Sequence, residues 1–539
     1  MLEELGRFKE AEIAYQCAIA SNPESAASYY NIGILQKKLG KLEEAEFSYR
    51  RAIAIKPDYE KAYFNLAIAL KELGKSEEAE FNCRKAIAIR PSYAEAHNSL
   101  GLFLQKRNQI SEAESSYRKA IALKSDYVEA YNNLATVLEE QSKLDEAEML
   151  CRKAILIRPA YEKAIYNLGI TLNKQGNLRE AASNYEKALS LKPDFFACFS
   201  NLLFTLTQIE TSRGYLERAH AFGGVAEEKV KEEFSGFSKQ RISGKIRVGL
   251  VSGDFRRHPV GYFLESFLSE IDRTKIEITA YSASRIEDEL TQRIKKHFDA
   301  WKRIDGLNDI EAAKMIHDDG IGILFDLSGH TQFNRLPVFA WRPAPVQVTW
   351  LGYFATTGIK QIDYILGDPL VTPDGEENHF TEEPWRLPES YFCFSMPDID
   401  IDIEGLPAAD NKFITYGCFN SLIKMNDAVV SVWAEILNRS GNARLFLKTK
   451  LLGDKVQREK VRRRFLEAGI TEDRLILEGG SPRLELLECY NRVDISLDPF
   501  PYPGGTTSVE SLWMGVPVLT RKGNHFLSHV GETIVTNAG

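Results

Sequence analysis

Two glycines followed by two threonines form the segment of this chain best suited to bind a phosphate group: Gly504, Gly505, Thr506 and Thr507. They follow a predicted strand that ends at Asp498, and the threonines open a predicted helix. A glycine turn at a helix N-terminus presents backbone N–H groups and the positive end of the helix dipole to an anion, and threonine hydroxyls add donors. The alternative is an ordinary glycine turn in which a threonine caps the helix.

Two charged side chains extend this motif towards a nucleoside diphosphate. Glu510 lies about one turn into the same helix, where its carboxylate can accept hydrogen bonds from ribose hydroxyls. Lys424, in CFNSLIKMN, follows another predicted strand and is expected to face the same cleft. A lysine there can neutralise the charge that builds on a departing diphosphate, without a metal ion. A solvated surface lysine is the alternative.

Three histidines in the middle of the chain are candidates for proton transfer: His258, His317 and His330. A histidine with a pKa near neutrality can take a proton from an attacking hydroxyl, or donate to a sugar or phosphate. Most histidines have structural roles, and position favours His258 because it follows the first predicted strand. The sequence contains neither GxxxxGK[ST] nor GxGxxG, which argues against a P-loop hydrolase and a dinucleotide oxidoreductase.

The elements that must position these residues are two series of buried strands alternating with helices. The first series comprises KIRVGLVSGDF, IEITAYSA, GIGILFDLSG, PVQVTWLGY and QIDYILGD. The second comprises NKFITYGCFN, ARLFLKT, DRLILEGG, VDISLDP and PVLTRKG. This alternation predicts two doubly wound parallel sheets whose ligands lie beyond the carboxyl ends of the strands, in the cleft between two lobes. We interpret the acidic run Asp398, Asp400 and Asp402 as a solvated linker between the lobes, not as a metal motif.

The first 200 residues contain a 34-residue repeat that is marked by prolines and small side chains. The prolines are Pro23, Pro57, Pro91, Pro159 and Pro193, with Ser125 in the missing place. Small residues recur at Gly33, Ala67, Gly101, Ala135 and Gly169, where two helices must approach closely. The period predicts a solenoid of helix–turn–helix units, which binds extended partners along a concave groove.

One repeat position is occupied by asparagine far more often than helix propensity explains. This asparagine ladder consists of Asn31, Asn65, Asn133, Asn167 and Asn201, with Ser99 in the sixth place. A row of amides carries donors and acceptors that can hold the backbone of an extended peptide whatever its side chains. Polar residues on a solvated helix face are the alternative.

Composition narrows the classes of function. The chain has 539 residues and a net charge of −8 without a basic block, which disfavours nucleic acid as a partner. No apolar segment is long enough to span a bilayer, and the N-terminus resembles an amphipathic helix rather than a signal peptide. The seven cysteines are scattered without CxxC spacing, which favours a reducing cytoplasm and argues against zinc.

We expect four segments: a repeat array over 1–210, a helical connector over 211–244, and lobes over 245–400 and 401–539. The second lobe is expected to be truncated, because the chain ends just after the strand-like ETIVTN.

The repeats resemble the tetratricopeptide family, as in AYFNLAIALKELGKSEEAEFNCRKAIAIRP. The remainder resembles the protein O-linked N-acetylglucosamine transferases and SPINDLY-type O-fucosyltransferases, through RVGLVSGDFRRHP, DLSGHT, RPAPVQVTWLGY, CFNSLIK and ISLDPFPYPGGTTSVESLWMGVPV. This resemblance implies an α-solenoid followed by a two-lobed α/β glycosyltransferase of GT-B type. It also implies an inverting transferase that needs no metal or other cofactor, and repeats that bind protein substrates through their asparagines.

The resemblance assigns roles by position. Lys424 matches the family's diphosphate-binding lysine, and Thr506 and Thr507 its phosphate contacts. Glu510 matches an acidic ribose contact, and Arg483 a basic residue at the nucleobase site. In the first lobe, the matches are His258 as a possible base, His317 as a second cleft histidine, and Leu351 and Gly352 in the channel for donor and acceptor.

Three positions of the nucleotide-sugar site depart from the N-acetylglucosamine enzymes. Leu486 stands where those enzymes place a histidine against uracil, Gly505 replaces the histidine before the threonine pair, and Ser421 replaces a glutamine. The second-lobe motif is closer to the SPINDLY branch. A GDP-linked donor such as GDP-fucose is therefore an alternative to a UDP-linked donor.

The sequence predicts a cytoplasmic protein O-glycosyltransferase that transfers a sugar, with UDP-N-acetylglucosamine as the favoured donor, to Ser or Thr hydroxyls of protein substrates. GDP-fucose is the alternative donor. A catalytically silent peptide-binding scaffold is the rival from another class, and the retention of Lys424 and the threonine pair argues against it. A saccharide acceptor is a further alternative, disfavoured by the asparagine ladder. Neither nucleic acid nor a membrane is an expected partner.

Overall fold

The computed structural model describes residues 7–209, 212–237, 244–394 and 400–539. The chain forms two compact units, Met1–Thr171 and Leu172–Gly539. This division lies within the predicted repeat array, so the expected boundaries at 210, 244 and 400 stay predictions. The structure confirms the predicted fold class, since helical repeats are followed by two parallel sheets. Asp398 of the predicted acidic linker lies outside the described residues.

The first unit consists of paired helices. Their bounds are α1 Phe8–Ser21, α2 Ala26–Lys38, α3 Leu42–Ile55, α4 Glu60–Glu72, α5 Ser76–Ile89, α6 Ala94–Lys106, α7 Ile110–Leu123, α8 Val128–Glu140 and α9 Leu144–Ile157. α10, Glu162–Lys174, spans the division between the units. The ladder prolines come two residues after odd-numbered helices, as expected for residues that cannot continue a helix.

The small-residue positions of the repeats face the second helix of the same unit. A Cβ added to Gly33 would lie 2.7 Å from the Tyr49 ring, and one added to Gly101 would lie 2.5 Å from the Tyr117 ring. Tyr49 and Tyr117 are fully buried, and Cys83 takes the equivalent place where the small residue is Ala67. Glycine is therefore paired with tyrosine and alanine with cysteine in successive repeats, so the large ring occurs where the facing residue is smallest.

The second unit begins with α11 Leu178–Leu191 and α12 Phe196–Leu206 of the array, followed by α13 Ser212–Glu227 in the predicted connector. α13 packs on the first lobe, where the Tyr215 hydroxyl donates to the Thr356 carbonyl at 2.9 Å. A Cβ on Gly223 would lie 2.0 Å from the Gly358 carbonyl oxygen, so only glycine permits this approach. The helix and the first lobe therefore touch backbone to backbone.

The first lobe contains a seven-stranded parallel sheet in the order β3-β2-β1-β4-β5-β6-β7. Its strands are β1 Ile246–Ser252, β2 Ile276–Ser282, β3 Ala300–Arg303, β4 Ile323–Asp326, β5 Val346–Thr349, β6 Tyr364–Gly367 and β7 Glu383–Arg386. Its helices are α14 Pro259–Glu270, α15 Glu289–Lys295, α16 Asp309–Asp318 and α17 Leu336–Phe339. The five predicted strands are confirmed, and the edge strands β3 and β7 were not predicted.

The second lobe contains a five-stranded parallel sheet in the order β10-β9-β8-β11-β12. Its strands are β8 Thr415–Cys418, β9 Arg444–Lys448, β10 Leu475–Glu478, β11 Ile495–Leu497 and β12 Val518–Leu519, all five as predicted. Its helices are α18 Pro407–Asn411, α19 Asp427–Arg439, α20 Lys455–Glu467, α21 Arg483–Glu488, α22 Thr506–Trp513 and α23 Phe526–Ala538.

The strand-like interpretation of ETIVTN is wrong, because these residues belong to α23. Phe526, Val530 and Ile534 recur at helical spacing and are buried in the first lobe's core together with Phe263 and Tyr391 of that lobe. α23 therefore joins the two lobes.

Candidate active site

The two segments that follow β8 and β11 form one continuous hydrogen-bonded cluster. These strands are neighbours at the centre of the second sheet, and the chain runs outward from them in opposite directions. The carboxyl ends of strands at such a reversal are where open α/β sheets bind ligands. The β8 segment carries Asn420 and Lys424, and the β11 segment carries the glycine–threonine turn.

Lys424 is half-buried and bonded to both segments. Its Nζ donates to Asn420 Oδ1 at 3.0 Å and to the Pro503 carbonyl at 2.7 Å. It also lies 3.8 Å from the centre of the Tyr502 ring, a cation–π contact. Burial lowers the pKa of Lys424 to about 8, although the Asp498 carboxylate opposes that shift. This ammonium is therefore fixed beside the glycine–threonine turn.

The turn itself is shaped by Asp498. Its Oδ1 accepts from the Gly504 N–H at 3.1 Å and from Ser508 Oγ at 2.8 Å. Burial raises the pKa of Asp498 to about 6. A Cβ on Gly504 would lie 2.2 Å from Ser508 Oγ, so this glycine is required, whereas one on Gly505 would meet open space. Only the first glycine is therefore imposed by packing.

The threonine pair opens α22 at this turn. Thr507 Oγ1 donates to Asn420 Oδ1 at 3.1 Å, so Asn420 accepts from both Lys424 and Thr507. The Thr506 Oγ1 is buried and has no hydrogen-bond partner among the described residues. A buried hydroxyl without a partner is costly, and a bound phosphate oxygen at the helix N-terminus is a suitable acceptor.

Ser421 is exposed beside this cluster, and its side chain makes no capping hydrogen bond. It lines a small pocket together with Asn420, Met425 and Thr449.

Glu510 and Arg483 lie on the same side of α22 and pair with each other. Arg483 Nη2 is 2.7 Å from Glu510 Oε1, and the carboxylate is only 3% exposed. Burial raises the pKa of Glu510, and the Arg483 charge counteracts this. The Arg483 guanidinium also lies 4.2 Å from the centre of the Tyr262 ring, which belongs to α14 of the first lobe. These predicted ribose and nucleobase contacts are therefore brought together.

His258 caps the N-terminus of α14, one turn before Tyr262. Its Nδ1 accepts from the Val260 N–H at 3.4 Å and lies 3.6 Å from Asp254 Oδ2. Burial lowers the pKa of His258, while Asp254 acts to raise it. Nδ1 accepts from the Val260 N–H only when it carries no proton, and it can donate to Asp254 only when it does, so the two contacts exclude each other. Only the tautomer protonated on Nδ1 leaves Nε2 free to take a proton.

The other two histidines lie elsewhere. His317 stands in the last turn of α16, which leads into the amino end of β4, opposite to the cleft edge. It stacks on Phe234 with a centroid distance of 4.8 Å, and its Nε2 is 3.3 Å from the Ser235 carbonyl. The structure does not bring His317 to the cluster, which corrects its placement as a cleft histidine.

His330 is 1% exposed and has a structural environment. Its Nδ1 is 3.1 Å from Ser200 Oγ, and its Nε2 is 2.9 Å from the Thr357 carbonyl. Burial lowers its pKa to about 3. A histidine so strongly held in the neutral form joins the last repeat helices to the first lobe and does not exchange protons near neutral pH.

Leu351 and Gly352 follow β5 at the carboxyl edge of the first sheet. Leu351 has a φ of 73°, a left-handed conformation that is strained for a branched side chain. A Cβ on Gly352 would lie 2.0 Å from the Leu327 carbonyl oxygen, so the β4 and β5 loops are in backbone contact. The next residues reach the second lobe, because Phe354 lies 5.6 Å from the Tyr502 ring.

The asparagine ladder links successive repeats. Asn65 Nδ2 donates to Tyr30 Oη at 3.0 Å, Asn133 Nδ2 to Asn98 Oδ1 at 3.0 Å, and Asn167 Nδ2 to Asn132 Oδ1 at 2.9 Å. All five ladder residues are half-buried on the first helix of their repeat.

Within the described residues, no protein group donates to the Oδ1 of Asn65, Asn133 or Asn167, so these acceptors are available. Asn31 and Asn201 occupy the equivalent places on α2 and α12.

Two further observations concern metal binding and membrane-spanning helices. Over the described ranges, no group of three or more His, Cys, Asp or Glu side chains is arranged to hold a metal ion. None of the helices in those ranges is both long and apolar enough to cross a lipid bilayer.

Some residues of the candidate site are not predicted by the sequence motifs. Asn420, Tyr262 and Tyr502 were not singled out, although Asn420 and Tyr502 lie inside the quoted motifs. Asp498 was noted only as the end of a strand, and its hydrogen bonds to the glycine turn were not expected.

Known proteins resemble both parts of this chain. The profile of glycosyl transferase family 41 matches residues 225–397 and 404–539, and tetratricopeptide-repeat profiles match 26–59, 60–93, 104–142 and 126–194. A probable UDP-N-acetylglucosamine–peptide N-acetylglucosaminyltransferase SPINDLY of Arabidopsis thaliana is 39% identical over 308 residues, covering 54% of this chain and 33% of its own. The SEC protein of the same plant is 31% identical over 288 residues, covering 51% of this chain and 29% of its own.

Among solved structures, a point mutant of the Thermobaculum terrenum O-GlcNAc transferase aligns with a TM-score of 0.74 and 32% identity. The alignment covers 83% of this chain and 88% of that one. The chain spans about a third of the length of the curated relatives it matches.

Proposed function

Because the chain belongs to glycosyl transferase family 41, we propose that it transfers a sugar from a nucleotide sugar to Ser or Thr hydroxyls of proteins. The observation that carries this proposal is the cluster in which Lys424, Asn420 and Thr507 meet at the N-terminus of α22. A fixed cation, a helix terminus and the unpartnered hydroxyl of Thr506 are suited to bind a diphosphate and to stabilise it as it leaves.

The reaction forms one bond and breaks another. The acceptor hydroxyl oxygen attacks the anomeric carbon from the face opposite the diphosphate, and the bond from that carbon to the phosphate oxygen breaks. The leaving diphosphate gains negative charge, which the Lys424 ammonium and the α22 N-terminus offset. The hydroxyl proton passes to His258 Nε2 in the tautomer that is protonated on Nδ1, or to water. Inversion of the anomeric centre follows from this single displacement, which in this proposal requires no metal.

UDP-N-acetylglucosamine is the favoured donor in this proposal, as the names of the relatives suggest. GDP-fucose is the second candidate, and Leu486 is the observation that favours it. This side chain packs in an apolar cluster with Phe419 and Met514, so it offers the base no hydrogen bond at a position where the N-acetylglucosamine enzymes have a histidine.

The test is calorimetric titration of this chain with UDP-N-acetylglucosamine, UDP, GDP-fucose and GDP in the presence of EDTA. Preference for one nucleotide identifies the donor class and supports the transferase. Absence of binding to all four contradicts the proposal and favours the peptide-binding scaffold. Titration with and without added Mg²⁺ tests metal independence in the same experiment.

We further propose that the asparagine ladder binds the backbone of the acceptor protein. The available Oδ1 atoms of Asn65, Asn133 and Asn167 can accept from peptide N–H groups, while the Nδ2 atoms hold neighbouring repeats. Asn98→Ala is the matched control, because it removes the partner of Asn133 but leaves the ladder intact.

Protein substrate modification by the Asn133→Ala and Asn98→Ala variants separates the two roles. We expect Asn133→Ala to slow modification more than Asn98→Ala, with nucleotide affinity unchanged in both. Equal losses would show that only the bond between repeats matters.

A further inference from the structure

The Arg483 guanidinium has one partner in each lobe. Its Nη2 is 2.7 Å from Glu510 Oε1 in the second lobe, and its carbon lies 4.2 Å from the centre of the Tyr262 ring in the first. The arginine side chain is 28% exposed and the Glu510 side chain is 3% exposed. The ion pair therefore lies largely out of solvent, with the guanidinium carbon over the face of the aromatic ring.

The positions of these residues connect the two halves of the candidate site. Arg483 is the first residue of α21, and Glu510 lies on α22, whose N-terminus carries the threonine pair. Tyr262 lies on α14, one turn after His258. A chain of contacts thus runs from the phosphate-binding helix through the arginine to the helix that carries the candidate base.

Stacking on an aromatic ring has a specific effect on an arginine. A long side chain with several rotatable bonds loses freedom when its planar head rests on a ring, and its N–H groups then point in fixed directions. A cation over an aromatic face is stabilised electrostatically, and more strongly where water is excluded. Contact with the Tyr262 ring therefore limits the orientations in which Arg483 can meet Glu510.

We propose that Tyr262 is a positioning residue for the nucleotide: its ring holds Arg483 in the plane in which Arg483 and Glu510 together receive the nucleoside. This inference rests on the proposed function, because it assumes that the Glu510 side of α22 binds a nucleoside. Tyr262 touches Arg483 and acts through it.

Three single variants, one double variant and a matched control test this role by titration with UDP and GDP. Tyr262→Phe keeps the ring, Tyr262→Leu removes it, and Arg483→Ala removes the cation. The control is Phe413→Leu, which deletes a cation–π contact of similar length, 4.1 Å to Arg444, at the amino end of the second sheet.

We expect Tyr262→Leu to weaken binding of the preferred nucleotide about 3- to 10-fold, as the loss of a cation–π contact implies. Tyr262→Phe should bind within about twofold of the unaltered chain, and so should Phe413→Leu. In the Arg483→Ala background, Tyr262→Leu should cause no further loss, because its effect passes through the arginine.

Three results would overturn the inference. They are unchanged affinity in Tyr262→Leu, a loss in Tyr262→Phe equal to that in Tyr262→Leu, and additive losses in the double variant. These differ from failure of the proposed function, in which the unaltered chain itself binds neither nucleotide. In that case both proposals are wrong.

Discussion

The Nζ of Lys424 donates to the backbone carbonyl of Pro503 at 2.7 Å, so the cation after β8 is tied to the residue that precedes the glycine turn after β11. The two segments are far apart in sequence but adjacent in the sheet. Their connection keeps the charge beside the helix N-terminus before any ligand arrives. Preorganised charge of this kind is the largest single contribution to many enzymatic rate enhancements.

Replacement of this lysine should abolish transfer without unfolding the lobe. Lys424→Ala removes the cation but leaves Asp498 to hold the turn through Gly504. We expect at least about a 100-fold loss of transfer, the usual cost of removing one preorganised donor, with an unchanged circular dichroism spectrum. Arg439→Ala, which removes an exposed cation of α19, is the control and should have no effect. Substantial residual transfer by the lysine variant would contradict the assignment.

Nucleotide affinity should depend on pH through the same group. Burial lowers the pKa of Lys424 to about 8, so the free protein loses this positive charge as the pH rises through 8. Diphosphate binding favours the charged form, so affinity for UDP or GDP should fall above pH 8, approaching about tenfold per pH unit, with proton uptake on binding. Titrations between about pH 7 and 9.5 in two buffers of different ionisation enthalpy measure both effects. The Lys424→Ala variant should show neither, and a flat profile in the unaltered chain would refute the prediction.

Acid should destabilise the second unit through His330. Burial lowers its pKa to about 3 in the folded chain, against about 6.5 in an unfolded one. Between these values the unfolded state binds one more proton, so the contribution of His330 to stability is complete above about pH 6.5 and is lost as the pH falls towards 3. The slope is at most about 1.4 kcal/mol per pH unit. Urea unfolding at about pH 7.5 and about pH 5 should show a smaller acid loss in His330→Asn than in the unaltered chain. Equal losses of stability in the two proteins would show that His330 does not cause the sensitivity to acid.

The combination of a glycine with a large aromatic ring, found in some repeats, should also fit into a repeat that has alanine and cysteine at those positions. Cys83→Phe places a ring against Ala67, and we expect a loss of about 1 to 3 kcal/mol in the free energy of unfolding, as for other overpacked cores. Adding Ala67→Gly reproduces the Gly33 and Tyr49 combination of an earlier repeat and should recover most of that loss. Chemical unfolding of both single variants and the double variant measures the coupling. Additive effects would show that the two positions do not share one space.

Most of the fold could be predicted because periodicity reports directly on packing. The 34-residue ladders specify helix pairs, and runs such as RVGLV mark strands buried on both faces. β3 (AWKR) and β7 (EPWR) were missed because they lie at the sheet edges and are only partly buried, so their residues carry no apolar run. ETIVTN was misassigned because its β-branched residues favour a strand, while packing of α23 on the first lobe imposes a helix.

The candidate site was only partly predictable. Lys424 and the glycine–threonine turn could be found because each follows a recognisable strand. Asp498 and Asn420 organise them by hydrogen bonds between segments that only the folded sheet brings together, and no spacing in the sequence predicts such bonds. His317 shows the converse error, since the resemblance matched it to a cleft histidine, whereas it lies in the last turn of α16 at the amino edge of the first sheet.

The glycine-to-glycine contact of α13 with the first lobe has a consequence for how this architecture can change over time. Backbone contact at Gly223 and Gly358 leaves no room for a side chain, so a substitution at either position would disrupt this junction. The repeats upstream share one helix-pair design, and side-chain hydrogen bonds such as Asn133 to Asn98 and Asn167 to Asn132 join neighbouring repeats. Duplication or loss of a repeat can therefore lengthen or shorten the array while α13 keeps its attachment to the first lobe. The length of the array can thus vary without a change in the packing of the two lobes.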